Sequence, residues 1–227
     1  VPTPLMKVMA DQIEGGTTVL ITEGEKFVPN LRTIVDEHLD CNFTITTQNA
    51  MYAKVINRVF DGYGNVEVKE TSIYRYGFLN EQFDRILSVH VFSGRDLAED
   101  GKNFICRETA MVDIETLLLH LSTIGELTIV LPGRITFSGG RINDLRRFVT
   151  QMYKLEMLAE LPDGIFRNTG IKTYLITVAA GRTEDVVIRR YEAVDRKTKR
   201  GTVEKMDITE DTFAMLEEIE EIGDWSI

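Results

Sequence analysis

Apolar positions along the chain follow two alternating periods. From Thr3 to Ile13 they recur at helical spacing (Leu5, Val8, Met9, Ile13), and Gly15-Gly16 ends the run. Thr17 to Thr22, TTVLIT, is continuous in the manner of a strand buried on both faces. Val28 to Leu39 returns to the helical period with Leu31, Ile34, Val35 and Leu39 on one face. The alternation continues through a strand at 42–46, a helix at 50–60 closed by Asp61-Gly62, and a strand at 66–69. Phe83 to Val91 reads as strand then loop, and the polar stretch from Ser93 to Asn103 as a surface loop. Further on the pattern predicts a helix over 113–124 (Ile114, Leu117, Leu118, Leu121), strands at 128–131, 155–161, 173–179 and 186–191, and a helix at 143–153. A charged segment, 182–200, ends in RKTKRG and reads as a hairpin tip. Glu210 to Glu221 reads as an acidic helix with Phe213, Leu216, Ile219 and Ile222 inward. Strand–helix alternation of this kind predicts an α/β domain with a mostly parallel sheet covered on both faces.

Composition narrows this picture only slightly. At 227 residues, with 43% hydrophobic and 27% charged residues, the chain suits one moderate α/β domain or a domain with an appendage. No apolar run approaches the roughly 20 residues that span a bilayer, and no signal-peptide core is visible. Two cysteines, Cys41 and Cys106, form no framework, so a reduced, cytoplasmic thiol pair is expected. The formal net charge of -10 argues against a free-standing grip on duplex DNA, which is ordinarily made by a basic face. Three histidines (His38, His90, His120) show no metal-ligand spacing, and His120 lies in the apolar run LLLHL as a core residue.

The segment from Leu127 to Val178 carries the most specific signal. Leu131-Pro132-Gly133 is followed by Phe137-Ser138-Gly139-Gly140 and a helix start. Leu161-Pro162-Asp163-Gly164-Ile165-Phe166 is followed by Thr169-Gly170-Ile171-Lys172-Thr173. In content and order these resemble the C-terminal half of the adenine-N6 DNA methyltransferases that form the modification subunits of type I restriction-modification systems. The resemblance implies a doubly wound, mostly parallel seven-stranded sheet of the class I S-adenosylmethionine-dependent (Rossmann-like) type, with the last strands antiparallel. It implies residues 1–180 as the methyltransferase-like domain, with 181–227 packed on it as a strand, charged hairpin and acidic helix.

The parts of that family that do chemistry lie upstream, and here they are eroded. Where a glycine-rich turn would let the backbone approach the cofactor, the chain has Ile21-Thr22-Glu23-Gly24-Glu25-Lys26-Phe27, with Gly24 alone. Where a carboxylate would take the ribose hydroxyls, it has Thr44-Ile45-Thr46-Thr47-Gln48. Glu70 stands near the place of an acid facing the cofactor's adenine. The Asn-Pro-Pro-aromatic element that engages the flipped base is replaced by Ser88-Val89-His90-Val91-Phe92, with only Phe92 kept. The expectation is therefore a degenerate member of the family, with no cofactor, acting as a nucleic-acid-associated or subunit-interaction module. The alternatives are an active, divergent S-adenosylmethionine-dependent enzyme rebuilt on Gly24, Glu70, His90 and Phe92, and a sensor of another small molecule.

Arg134, Arg141, Arg146 and Arg147 surround the Gly139-Gly140 turn, and Arg167-Asn168-Thr169-Gly170-Ile171-Lys172 lies on the side facing DNA in the resembling family. Of these, Arg134, Arg141, Arg167, Asn168 and Lys172 are the nucleic-acid candidates, weighed against solvated faces and turns. Arg189, Arg190, Arg196, Lys197, Lys199 and Arg200 form the one dense basic region, best read as a solvated hairpin. Expected partners are DNA, an active methyltransferase or specificity subunit, or a second copy of the chain, with no membrane.

Overall fold

The computed structural model of the chain describes residues 1–89, 103–166, 170–194 and 205–226. In chain order the elements open with α1 (Thr3–Ala10), β1 (Thr18–Ile21), α2 (Val28–Glu37), β2 (Asn42–Thr47), α3 (Ala50–Val59), β3 (Val66–Glu70) and β4 (Phe83–Val89). They continue with α4 (Thr109–Leu118), β5 (Leu121–Pro132), α5 (Arg134–Phe137), α6 (Arg141–Met152), β6 (Lys154–Glu160) and β7 (Thr173–Ala179). The chain closes with β8 (Asp185–Ala193), β9 (Met206–Met215) and α7 (Leu216–Ile222). One sheet holds all nine strands in the order β3-β2-β1-β4-β5-β7-β6-β8-β9. Strands β1 to β5 pair in parallel, β7 runs antiparallel between β5 and β6, and β8 is parallel to β6. The doubly wound plan holds, and the sheet is wider than the seven strands expected because β8 and β9 extend it.

The continuous apolar runs have a direct cause. Val19 and Ile21 enter one core with α1 and α2, while Leu20 enters a second core with α4 and α6. A strand buried on both faces has no solvent side on which to place polar residues. α2 buries Leu31, Ile34 and Val35, and α3 buries Ala53 and Ile56. Asn49 starts α3 by accepting the Met51 and Tyr52 N–H groups at 2.9 and 3.4 Å. α4 is buried along its whole length, Asp113 and Glu115 included.

Two predicted elements differ from the structure. The helix expected over 113–124 lies at Thr109–Leu118, and Leu121 instead opens β5 opposite Phe83. The run LLLHLSTIGEL is apolar enough for either period, and a bulge between Phe83 and Arg85 lets β5 start early. Gly125 sits at that irregularity, where a Cβ would lie 2.8 Å from the Phe83 carbonyl oxygen. The helix expected over 210–221 is confined to Leu216–Ile222, because residues 206–215 pair along β8 as β9. Ile208, Thr209, Thr212 and Phe213 favour a pleated surface. Of the expected inner face Ile219 is fully buried, whereas Phe213 is 76% exposed.

Toward the amino ends of the parallel strands, away from the candidate site, the half-buried Glu126 faces Glu156, with Arg85, Glu14 and Lys154 close by. Burial, then the neighbouring carboxyl, pushes the Glu126 pKa up from 4.5 to about 7. The stability this group contributes is fully present below 4.5 and is lost as pH rises through about 7. Glu126→Gln is therefore expected to be more stable than the parent at pH 8 by about 1–2 kcal/mol, after discounting for partial exposure, and equal to it near pH 4. Urea titrations at the two pH values check this; equal curves at pH 8 would remove the pair as a source of pH dependence.

Candidate functional site

In doubly wound sheets, ligands bind beyond the carboxyl ends of the strands, where the strand order reverses. Here that place is the crevice between β1 and β4. The chain leaves β1 through Thr22, whose N–H donates to the Leu87 carbonyl at 3.1 Å and whose hydroxyl donates to Ser88 Oγ at 2.7 Å. Glu23 then takes a left-handed backbone angle (φ 48°), the one non-glycine residue to do so among the described residues. Its side chain turns inward and is 4% exposed.

Lys26 comes back over this turn. Its ammonium pairs with the Glu23 carboxylate and donates to the Val89 carbonyl oxygen at 2.6 Å, so that it spans from the end of β1 to the end of β4. Phe27 follows, fully buried. Burial raises the Glu23 pKa; Lys26 opposes that rise and Asp113 adds to it. Burial, with the Asp113 and Glu23 charges, likewise raises the Tyr74 phenol. The crevice thus holds a packed polar cluster of Glu23, Lys26, Tyr74 and Asp113, none of them among the sequence-derived candidates except Glu23.

Gly24 does not provide backbone access. A Cβ there would lie 2.5 Å from Ile45 Cγ2 and 3.2 Å from Ile56 Cδ1, so the glycine lets the turn pack on β2 and α3. At the end of β2, Thr46 and Thr47 are buried, and the Thr47 hydroxyl accepts the Asn49 N–H at 3.2 Å. Glu70, at the end of β3, is exposed. Ser88 and Val89 are buried at the end of β4, and His90, Val91 and Phe92 lie outside the described residues. These residues do not fit S-adenosylmethionine. The turn presents bulky buried side chains, β2 ends without a carboxylate, and Lys26 spans from the end of β1 to the end of β4.

The two C-terminal motifs meet as their order suggests. Gly133 N–H donates to the Lys172 carbonyl at 2.7 Å, and Leu161 N–H to the Thr173 carbonyl at 3.0 Å. The basic candidates around them each lie within ion-pair reach of an acid at the surface: Arg134 and Glu108 at 3.0 Å, Arg141 and Asp144 at 4.0 Å, and Lys172 and Glu160 at 2.9 Å. Arg167 and Asn168 lie outside the described residues. Arg189 pairs with Asp211 and Arg190 with Glu160 and Glu210, while Arg196, Lys197, Lys199 and Arg200 lie outside the described residues. A cavity of about 250 Å³ opens between Glu160, Lys172, Tyr174, Arg190 and Trp225.

Arg146, which the sequence groups with the exposed arginines, is only 3% exposed. It donates to the carbonyls of Ile135, Ser138 and Gly223 at 3.1, 2.7 and 2.6 Å, joining α5, α6 and the end of α7. Trp225 is buried and its N–H donates to the Thr136 carbonyl at 2.7 Å, which docks the tail of α7. His120 is a core residue, donating from Nδ1 to the Glu81 carbonyl at 3.0 Å, and burial lowers its pKa. Among the described residues no group of His, Cys, Asp and Glu could hold a metal, and no helix is long and apolar enough to cross a membrane.

The sheet order and the crevice at its reversal define a class I S-adenosylmethionine-dependent methyltransferase fold. A Listeria monocytogenes protein assigned to that class superposes with a TM-score of 0.64 at 13% identity, over 83% of this chain and 64% of that one. The sequence profile described as N-6 DNA Methylase matches residues 81–226, and the chain belongs to that family. The type I restriction enzyme EcoEI methylase subunit of Escherichia coli is 32% identical over 110 residues, 45% of this chain and 22% of the relative. The type I restriction-modification methyltransferase subunit of Streptococcus thermophilus superposes with a TM-score of 0.81 at 18% identity, over 100% of this chain and 58% of that one. The chain thus spans less than a quarter of the curated relative and little more than half of the solved subunit.

Proposed function

We propose that this domain keeps the N-6 DNA methylase fold without methylating adenine, and that it serves as a nucleic-acid-associated or subunit-interaction domain of an assembly of the restriction-modification kind. The observation that carries this reading is the bridge from Glu23 through Lys26 to the Val89 carbonyl, laid across the crevice that the fold ordinarily leaves open. Fully buried Phe27 behind it and the missing carboxylate at the end of β2 support the same reading. A binding role with retained fold accords with function being grafted onto, and removable from, a scaffold. The naming of a relative as the methylase subunit of a type I restriction enzyme supports a protein partner, and a specificity or active methyltransferase subunit is the partner class we assign. Residues 1–180 form the methyltransferase-like part in this reading and 181–227 its appendage.

Calorimetric titration with S-adenosylmethionine tests the reading. The expected result is no saturable heat up to roughly 1 mM donor, corresponding to affinity weaker than about 4 kcal/mol. Micromolar binding, or transfer of a tritiated methyl group to DNA, would establish instead an active enzyme with a rebuilt site and overturn the proposal.

A further inference from the structure

β9 closes one edge of the sheet. It is ten residues long, bonds to β8 along its length, and has no strand on its outer side among the described residues. Free edges of this length template the addition of another strand, and are ordinarily blunted by charged side chains, lysine above all, by proline, by bulges or by shortness. From Met206 to Met215 there is neither lysine nor proline; the charges are Asp207, Glu210 and Asp211, and the bulge lies opposite Arg190 and Tyr191. Its exposed apolar side chains are Phe213 at 76%, Ile208 at 48% and Met215 at 46%.

The phase of the outer edge is fixed at both ends. Leu216 N–H donates to the Glu184 carbonyl at 2.8 Å and Val194 N–H to the Lys205 carbonyl at 3.1 Å. Following the pairing inward from these anchors, Met206, Ile208, Asp211, Phe213 and Met215 turn their N–H and C=O groups away from β8. The register shift opposite Arg190 and Tyr191 matters here. Ile208 and Phe213 are an odd number of residues apart and would face opposite sides of a regular strand. The shift brings both, with Asp211 and the two methionines, onto one face.

We propose that β9 pairs antiparallel with β9 of a second copy of this chain, about a two-fold axis at Asp211. In that register Ile208 lies opposite Phe213 of the second copy, Met206 opposite Met215, Asp207 opposite Ala214 and Glu210 opposite Thr212. Each outward N–H meets an outward carbonyl, and the apolar cross-strand pairs share a face. The one like-charged pair directly opposed is Asp211 against Asp211 of the second copy, with the two exposed Glu210 side chains diagonal across the axis. On each side Arg189 already holds that carboxylate through Nη2 at 2.7 Å and Nε at 3.1 Å. Beyond the strand, Lys205 falls beside Glu217 and Glu218, which open α7 of the second copy. An isologous contact of this kind closes after two chains. It is independent of whether the crevice between β1 and β4 binds a methyl donor.

Sedimentation velocity at protein concentrations up to roughly 100 µM tests the pairing. The expected species has twice the chain mass of 25.8 kDa. Phe213→Lys and Phe213→Pro should each weaken association by roughly tenfold or more, because one places a charge on the edge and the other removes an outward donor that β8 does not use. Thermal melting of both variants should match the parent, since Phe213 is exposed. Under oxidation, Ile208→Cys combined with Phe213→Cys should give a disulfide-linked dimer that neither single change gives; Cys41 and Cys106 are buried. A monomer throughout the concentration range, a dimer that both Phe213 variants leave intact, or association only with a basic strand of another protein overturns the proposal.

Discussion

Phe27→Ala is expected to lower the unfolding free energy by about 3–5 kcal/mol, the largest single-site effect in the crevice. Phe27 is fully buried in the core that also holds Leu31, Ile45 and Ile56, so the truncation loses both transfer energy and packing around the void. Removing the ring clears space next to the turn without supplying a carboxylate on β2 or moving Lys26 off the Val89 carbonyl. The variant should therefore be destabilised and still show no heat with S-adenosylmethionine. Urea denaturation paired with the same calorimetric titration reads both quantities. A loss below about 1 kcal/mol would mean that the ring is not packed. A gain of micromolar affinity would mean that occlusion by Phe27 alone had excluded the donor.

Arg146→Ala should destabilise the domain by about 3 kcal/mol or more. The guanidinium donates to two carbonyl oxygens in and just after α5, to the Gly223 carbonyl after α7, and to Asn143 Oδ1 at 3.1 Å. Without it, the Ile135 carbonyl and the turn ending in Ser138 lose a buried donor, at a cost typical of unsatisfied polar groups. Burial lowers the Arg146 pKa, in keeping with a side chain held for structure. The loss should concentrate at the C-terminal end, where Gly223 and Trp225 are tied down. Limited proteolysis is expected to cut the variant near residues 216–226 well before the parent. Arg146→Lys should recover little, because an ammonium cannot reproduce the planar fork. A stable Arg146→Ala chain with unchanged proteolysis would refute the stapling role.

These two residues mark where sequence reasoning reached and where it stopped. β7 was legible to the residue, and β2 and β6 to within one, because short stretches rich in β-branched or apolar residues between polar turns leave little else for the chain to do. β5 and β9 were harder. The run through Leu121 satisfies both periods, and β9 exists only because β8 presents an edge to it, a long-range fact absent from local pattern. At the site, the missing carboxylate and the bulky turn were readable as residue types. The Lys26 bridge was not, since it depends on the left-handed turn at Glu23. The same limit misplaced Arg146, whose helix position looks solvated until α5 and α7 close over it.

Gly24 is the single glycine in the turn from Ile21 to Phe27. Its neighbours explain why a glycine stands there. With Ile45 and Ile56 filling the space its side chain would need, the glycine is held in place by the hydrophobic core and not by a ligand. The turn is therefore hard to remodel one step at a time. Widening it would require β2 and α3 to be repacked with smaller residues first, and each of those changes alone leaves a void. Marginal stability then acts as a ratchet that holds the turn in this form, whatever the crevice binds.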